Sequence, residues 1–157
     1  MTLDEKLAIG IAAPIGEHRF EPDEIKTFAG KFDPQPFHLD EVEAAKSHFG
    51  RLCASGWHTV SMWMRHNVLT EQQRLRDLQS AGHGGFEVGV GLGLKNLRWL
   101  LPVYAGDTIR FSRTRNSVRA SNSLPGWSIV EYSAEASNQA GDKVMEFEAA
   151  YLCRDAA

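Results

Sequence analysis

The sequence predicts an α+β protein in which an antiparallel β-sheet wraps around a long, central, apolar helix. Three observations lead there. Between Gly56 and Leu69, the apolar residues Trp57, Val60, Met62, Trp63, Met64, Val68 and Leu69 surround most of a helical circumference, the pattern of a buried helix. From Leu92 onward the period shortens to two, as where Met145, Phe147, Ala149 and Tyr151 alternate with Glu146, Glu148 and their neighbours. The segments of that second half are joined by turn-length connections, which favour antiparallel neighbours.

The 157 residues fit one domain, taken as 1–157, and suffice to bury a real core. A content of 43% hydrophobic and 24% charged residues is that of an ordinary soluble protein, and the net charge of −3 argues against a nucleic-acid binder. No apolar run approaches the roughly 20 residues needed to span a bilayer. The first residues lack a basic region followed by an apolar run, so a cytosolic, reduced setting is expected. Cys53 and Cys153 lie outside any metal or redox spacing and read as reduced core thiols.

Residues 1 to 14 carry little pattern and read as an arm or short edge segment, and Ile15 to Phe20 as a short strand. Pro22 then opens a helix whose acidic first turn suits its dipole, with Ile25, Phe28, Ala29 and Phe32 on the buried face. Asp40 and Glu43 mark the start of a second short helix through Ala44, Ala45 and His48, which Gly50 is placed to end. The central helix follows from about Gly56 to Leu69, with a further polar helical turn within Thr70 to Gln79. Ser80 to Gly85 is a loop. Leu92 to Leu101, Thr108 to Val118, Trp127 to Ser137 and Val144 to Cys153 are the four strands, with turns at Pro102 to Asp107 and Ala140 to Asp142 and a looser connection at Ser121 to Gly126.

Reactive groups concentrate between Phe32 and His58. Asp33 and His38 are separated by four residues that include Pro34 and Pro36. Each proline fixes its own φ and pushes the preceding residue toward an extended conformation. The two groups are therefore expected off any helix face, on a stiff extended turn aimed at one point. At Ala54 to His58 the apolar helix begins, with Ser55 as N-cap and Gly56 leaving its N–H open to close approach. Free N–H donors and the positive end of the dipole suit a carbonyl oxygen that gains negative charge. An acid, a base and an oxyanion site together are what chemistry beside a carbonyl requires. Singly, each residue has a plainer reading: Asp33 as a turn residue, His38 as a structural histidine, Gly56 as a small residue where helix meets sheet. Asp40 is better read as the N-cap of the second helix.

These residues resemble a known family. Asp33, Pro36, His38 and Asp40, then Ala44, Phe49-Gly50, Ala54 and Gly56 look like the signature of the MaoC-like dehydratases, which include the R-specific enoyl-CoA hydratases. Leu97 to Ile109 is similar to a strand-turn-strand segment of the same family, though that segment is shared widely among hotdog folds. The likeness runs from about Ile15 to Tyr151. It implies a hotdog fold and reversible hydration of a trans-2-enoyl-CoA to a 3-hydroxyacyl-CoA, with Asp33 and His38 holding one water and the Gly56 N–H facing the thioester oxygen. It implies no cofactor beyond the coenzyme A of the substrate, and pairing of two chains through sheet edges, which exposed strand edges also favour. Two positions depart from the usual form: Ser55 stands where His is usual, and Gln35 where many members have Asn.

Around this centre, Ser55, Trp57, Val60 and Trp63 are expected to meet the acyl chain between helix and sheet. The basic run Lys95, Arg98, Arg110, Arg113, Arg115 and Arg119 is either a solvated sheet face or, with Arg98 foremost, a contact for coenzyme A phosphates. The histidines show no metal-ligand spacing, and Gly89 to Gly93 enters a strand rather than a helix, which removes a nucleotide-loop reading. Two competitors stand beside the hydratase: a hotdog acyl-CoA thioesterase, and a noncatalytic acyl-CoA-binding subunit.

Overall fold

A computed structural model describes residues 1–157. Helix α1 (Leu3–Leu7) is followed by β1 (Ala12–Arg19), α2 (Pro22–Phe32), α3 (Pro36–Leu39), α4 (Glu41–Lys46) and α5 (Gly56–Ser80). The chain then runs through β2 (Gly85–Trp99), β3 (Thr108–Ala120), β4 (Ser128–Ser137) and β5 (Lys143–Ala156). All strand pairs are antiparallel, in the order β1-β3-β4-β5-β2, so β1 and β2 form the two edges. One curved sheet against one long helix is the hotdog arrangement that the sequence predicts.

Several boundaries follow their local chemistry. Pro22 sits in the first turn of α2, where a missing N–H costs nothing. Asp40 caps α4 by accepting the Glu43 N–H at 2.9 Å. The expected featureless arm instead contains α1, closed by reciprocal bonds between Thr2 and Glu5. Its buried Lys6 gives three bonds across the molecule, to Gly85 O, Asp155 Oδ1 and Ala156 O. Strand β2 begins seven residues before the expected Leu92, at Gly85, and is bulged around Gly91 and Gly93. At Gly89 the reason is steric: an added Cβ would lie 2.7 Å from the Trp127 ring and 3.0 Å from Leu152 Cβ.

Helix α5 departs most from expectation. It runs unbroken for 25 residues and absorbs the polar turn. It is not buried all round: its buried residues are His58, Thr59, Trp63, Glu71 and Leu78, while Trp57, Met64, Val68 and Leu69 are exposed. The sheet curls over one side of the helix only. On that side Trp63 anchors the core, stacked on Tyr132 at 5.6 Å and edge-on to Phe147 at 4.9 Å, with its indole N–H donated to Ser112 O. Phe20, Ile25, Ile109, Phe111 and Met145 complete this core.

The basic run is also corrected. Arg113 and Arg115 are buried and both bond Glu71 Oε2 of α5, Arg113 at 2.8 Å. Arg115 adds bonds to Leu7 O and to the Tyr151 hydroxyl. Neither is a solvated residue nor a free phosphate ligand, because long side chains on the inner face of β3 reach the helix before they reach water. Both cysteines are free and buried. No helix is long and apolar enough to cross a membrane.

Candidate active site

Asp33 ends α2 as its C-cap, giving its N–H to Ala29 O. Pro36 does not keep His38 off a helix, as expected from the sequence. It starts the one-turn helix α3, in which His38 is the third residue. Proline is tolerated at a first helical position, so the two prolines produce a stop and a restart rather than an extended turn. The stop and restart bring the side chains together, with Asp33 Oδ2 3.3 Å from His38 Nε2.

His38 is buried, and its Nδ1 lies 2.6 Å from Cys53 O. A carbonyl only accepts, so Nδ1 carries the proton and Nε2 is the nitrogen that gains or loses one. The segment holding that carbonyl is pinned on both sides, by Ala54 N–H to Val103 O at 2.7 Å and Ala105 N–H to Leu52 O at 3.0 Å. The Cys53 thiol lies 3.7 Å from the same Nδ1. Burial, and then the Asp33 charge, push it up to about 11, so it stays a thiol and no nucleophile at neutral pH.

Asp33 takes a hydrogen bond on each oxygen: Gln35 Nε2 donates to Oδ1 and the Ser55 hydroxyl to Oδ2, both at 2.7 Å. Burial works against its charge, but the bonds from Gln35 and Ser55, with the His38 charge, outweigh it and hold the carboxyl below its ordinary value. With Nδ1–H fixed, a neutral His38 would turn a lone pair toward this carboxylate. The pair therefore fits one shared proton, or one water donating to both.

Beside the pair α5 begins. The Trp57 N–H donates to Ser55 Oγ, and the His58 and Thr59 N–H groups to Ser55 O, while the Gly56 N–H has no protein acceptor. A cavity of about 370 Å³ lies here, lined by His38, Phe37, Phe49, Gly56, Trp57 and Trp99 among others. Trp99 packs directly on Gly56: a Cβ at position 56 would sit 2.3 Å from the indole. Trp57 stands edge-on to Trp99, with ring centroids 5.0 Å apart. A larger cavity of about 440 Å³ opens between the end of α1 and the middle of α5, without an acid–base pair.

The structure thus gathers Asp33, His38, Ser55, Gly56 and Trp57, and leaves three candidates elsewhere. Trp63 is wholly buried in the core and Val60 packs against that core, so neither lines this cavity. Arg98 sits in register with Glu146 and lines a separate hollow with Glu135 and Glu148, where acidic neighbours disfavour phosphate. Ser55 is fully buried with its hydroxyl directed at Asp33, so it faces the carboxylate rather than the cavity. Sequence reasoning missed Trp99, the Cys53 carbonyl and the bond from Gln35. A backbone carbonyl leaves no trace in residue types. Gln35 had a signal, since a donor amide sits two residues from Asp33.

Comparison with known proteins identifies the family and the fold. Residues 4–125 match the family model described as MaoC like domain. The MaoC-like dehydratase of Rhodospirillum rubrum is 36% identical, with a TM-score of 0.80 and coverage of 100% of this chain and 99% of that one. An uncharacterized protein of Bacillus subtilis, YdeM, is 29% identical over 109 residues, 69% of each chain. The (R)-hydratase from A. caviae involved in PHA biosynthesis, at 24% identity, shares the fold with a TM-score of 0.63 over 93% of this chain and 95% of that one. A family model matched over most of the chain, with a sheet and helix of the same design in these relatives, leads to one assignment: the chain belongs to the MaoC-like domain family and has its hotdog fold.

Proposed function

We propose that the protein is a hydro-lyase that adds water reversibly across the C2=C3 bond of a trans-2-enoyl-CoA thioester. The observation that carries this reading is the 3.3 Å approach of Asp33 Oδ2 to His38 Nε2, with the far nitrogen of the imidazole locked by Cys53 O. Water held by the pair attacks C3 through its oxygen and gives one proton to the pair. The electron pair of the double bond moves toward the thioester carbonyl, and the enolate oxygen faces the Gly56 N–H. The pair then returns a proton to C2, so that one water is added and the enzyme is unchanged. Asp33 and His38 act as a coupled unit, without a separate proton assigned to each. The apolar wall of Phe37, Phe49, Trp57 and Trp99 excludes water from the enolate.

A second copy of the chain is part of this reading. Strand β2 leaves a sheet edge unpaired, and Val88, Val90, Leu92 and Leu94 on it are exposed. Pairing of two β2 edges would cover them, and a mass in solution of twice the chain would bear this out.

The test is the absorbance of the conjugated enoyl-thioester when protein meets crotonyl-CoA and longer enoyl-CoAs, beside Asp33→Asn and His38→Ala. Loss of conjugation with the wild type alone, without free thiol, supports hydration on this pair. Release of thiol would instead make the protein a thioesterase, and binding without turnover would make it a noncatalytic subunit.

A further inference from the structure

The two positions where the chain departs from the family signature, Gln35 and Ser55, are the two side chains that hydrogen-bond Asp33. Ser55 is wholly buried, so bulk water does not compete for its hydroxyl. The Trp57 N–H approaches Oγ at 3.3 Å as a donor, which leaves Oγ to spend its single proton elsewhere. That proton goes to Asp33 Oδ2 at 2.7 Å.

The same residue organises the helix start. A helix begins with four N–H groups that have no partner within it. Ser55 answers three of them, Trp57 with Oγ and His58 and Thr59 with its carbonyl, and leaves the Gly56 N–H. One buried residue therefore touches both halves of the site.

We propose that Ser55 is a positioning residue that holds Asp33 Oδ2 toward His38 Nε2 and ties that carboxylate to the helix turn whose one unclaimed N–H is that of Gly56. Gln35 supports it from the other oxygen, so the carboxylate is held at both ends by neutral donors. The groups that face Asp33 are His38, Cys53, Ser55 and Gln35, and no lysine or arginine pairs with it. In the absence of a cation, these bonds are the principal control on where the carboxylate points. The kinetic side of this inference rests on the hydratase reading, and the structural side stands without it.

The experiment follows the Asp33 carboxyl directly, by ¹³C NMR titration of protein labelled at aspartate, alongside kcat and KM for crotonyl-CoA. The proteins are wild type, Ser55→Ala, Ser55→Gly, Ser55→Thr and Gln35→Ala. Glycine is a tolerated N-cap, so Ser55→Gly removes the hydroxyl with little loss of the helix start if Ser55→Ala fails to fold. Removal of the hydroxyl should move the Asp33 midpoint up in pH and lower kcat about 10-fold, with KM nearly unchanged, as loss of one hydrogen bond to a charged group would. Ser55→Thr should restore both. An unchanged Asp33 midpoint in the folded alanine or glycine variant overturns the proposal. An upward midpoint in a protein that hydrates nothing upholds the positioning role and removes only the hydratase reading.

Discussion

Helix α5 meets two charge clusters, and they are built differently. At its first turn lies the Asp33–His38 pair. Near its middle, roughly 22 Å along the axis, Glu71 meets Arg113 and Arg115. Glu71 is buried and Asp33 partly so, and their partners differ in charge. Glu71 Oε2 is held by two guanidinium groups, which in turn bind Asn67, Leu7 O and Tyr151. Burial and the Arg115 charge draw Arg113 below its usual range, with Glu71 opposing. Asp33 is held by an amide and a hydroxyl and faces a titratable imidazole across a gap that borders a cavity. A carboxylate ringed by fixed cations keeps its charge and joins elements together. One ringed by neutral donors can take part in moving a proton. The lesson is that the charge of the donors helps to separate a rivet from a reactive pair.

Substitutions at six residues and one titration would break or sharpen that contrast. Asp33→Asn or His38→Ala should each cost about 1,000-fold in hydration rate, while the melting temperature stays within a few degrees. The double variant should be scarcely slower than either single one, as expected of residues that act as a unit. Glu71→Gln should do the reverse. It leaves two buried arginines short of a counter-charge and should cost about 3 kcal/mol in urea unfolding, with turnover per folded molecule preserved. A large loss of turnover in a folded Glu71 variant would merge the two clusters into one system.

Gly56→Ala comes next, at about 100-fold in rate, because its Cβ would collide with Trp99. Adding Trp99→Ala should recover part of that loss if the indole is the obstacle, and none if the amide itself has moved. Asp40→Ala should cost only about 1 kcal/mol of stability and leave the rate alone, since Asp40 caps α4 although it stands in the signature. The smallest effect is on acid stability. The Asp33 carboxyl lies below its ordinary value of 3.8. Its contribution to stability is therefore complete above that value and lost as pH falls through the lower folded one. Asp33→Asn should flatten the acid end of the stability curve by that contribution.

Much of this was legible in the sequence, for reasons tied to range. The Pro22 start of α2, the Asp40 cap and the period of β5 depend on neighbours within four residues, and each is found as expected. The meeting of Asp33 and His38 was legible as well, since only five positions separate them. What failed depended on distant partners. Arg113 and Arg115 looked like a solvated stripe because their counter-charge, Glu71, lies more than forty residues earlier. Trp63 looked like a wall of the acyl site because an apolar residue on an apolar helix carries no mark of which side the sheet covers. The start of β2 was placed late, at Leu92 rather than Gly85, because the Trp127 ring that requires a glycine at position 89 is distant in the sequence. The bond from Ser55 to Asp33 spans 22 positions and combines a cap with a positioning contact in one hydroxyl.

Strand order also has a consequence for synthesis. β2 has a single neighbour in the sheet, and that neighbour is β5. Lys6, made almost first, waits for Asp155 and Ala156 among its partners. At about 5–20 residues per second on the ribosome, β2 would remain without its partner for several seconds after it emerged, with the backbone N–H and C=O groups that β5 later pairs left open. A chain interrupted before Lys143 would never pair this strand at all. The nascent protein should therefore depend on chaperone shelter during translation, and most of all in the interval between the completion of β2 and that of β5.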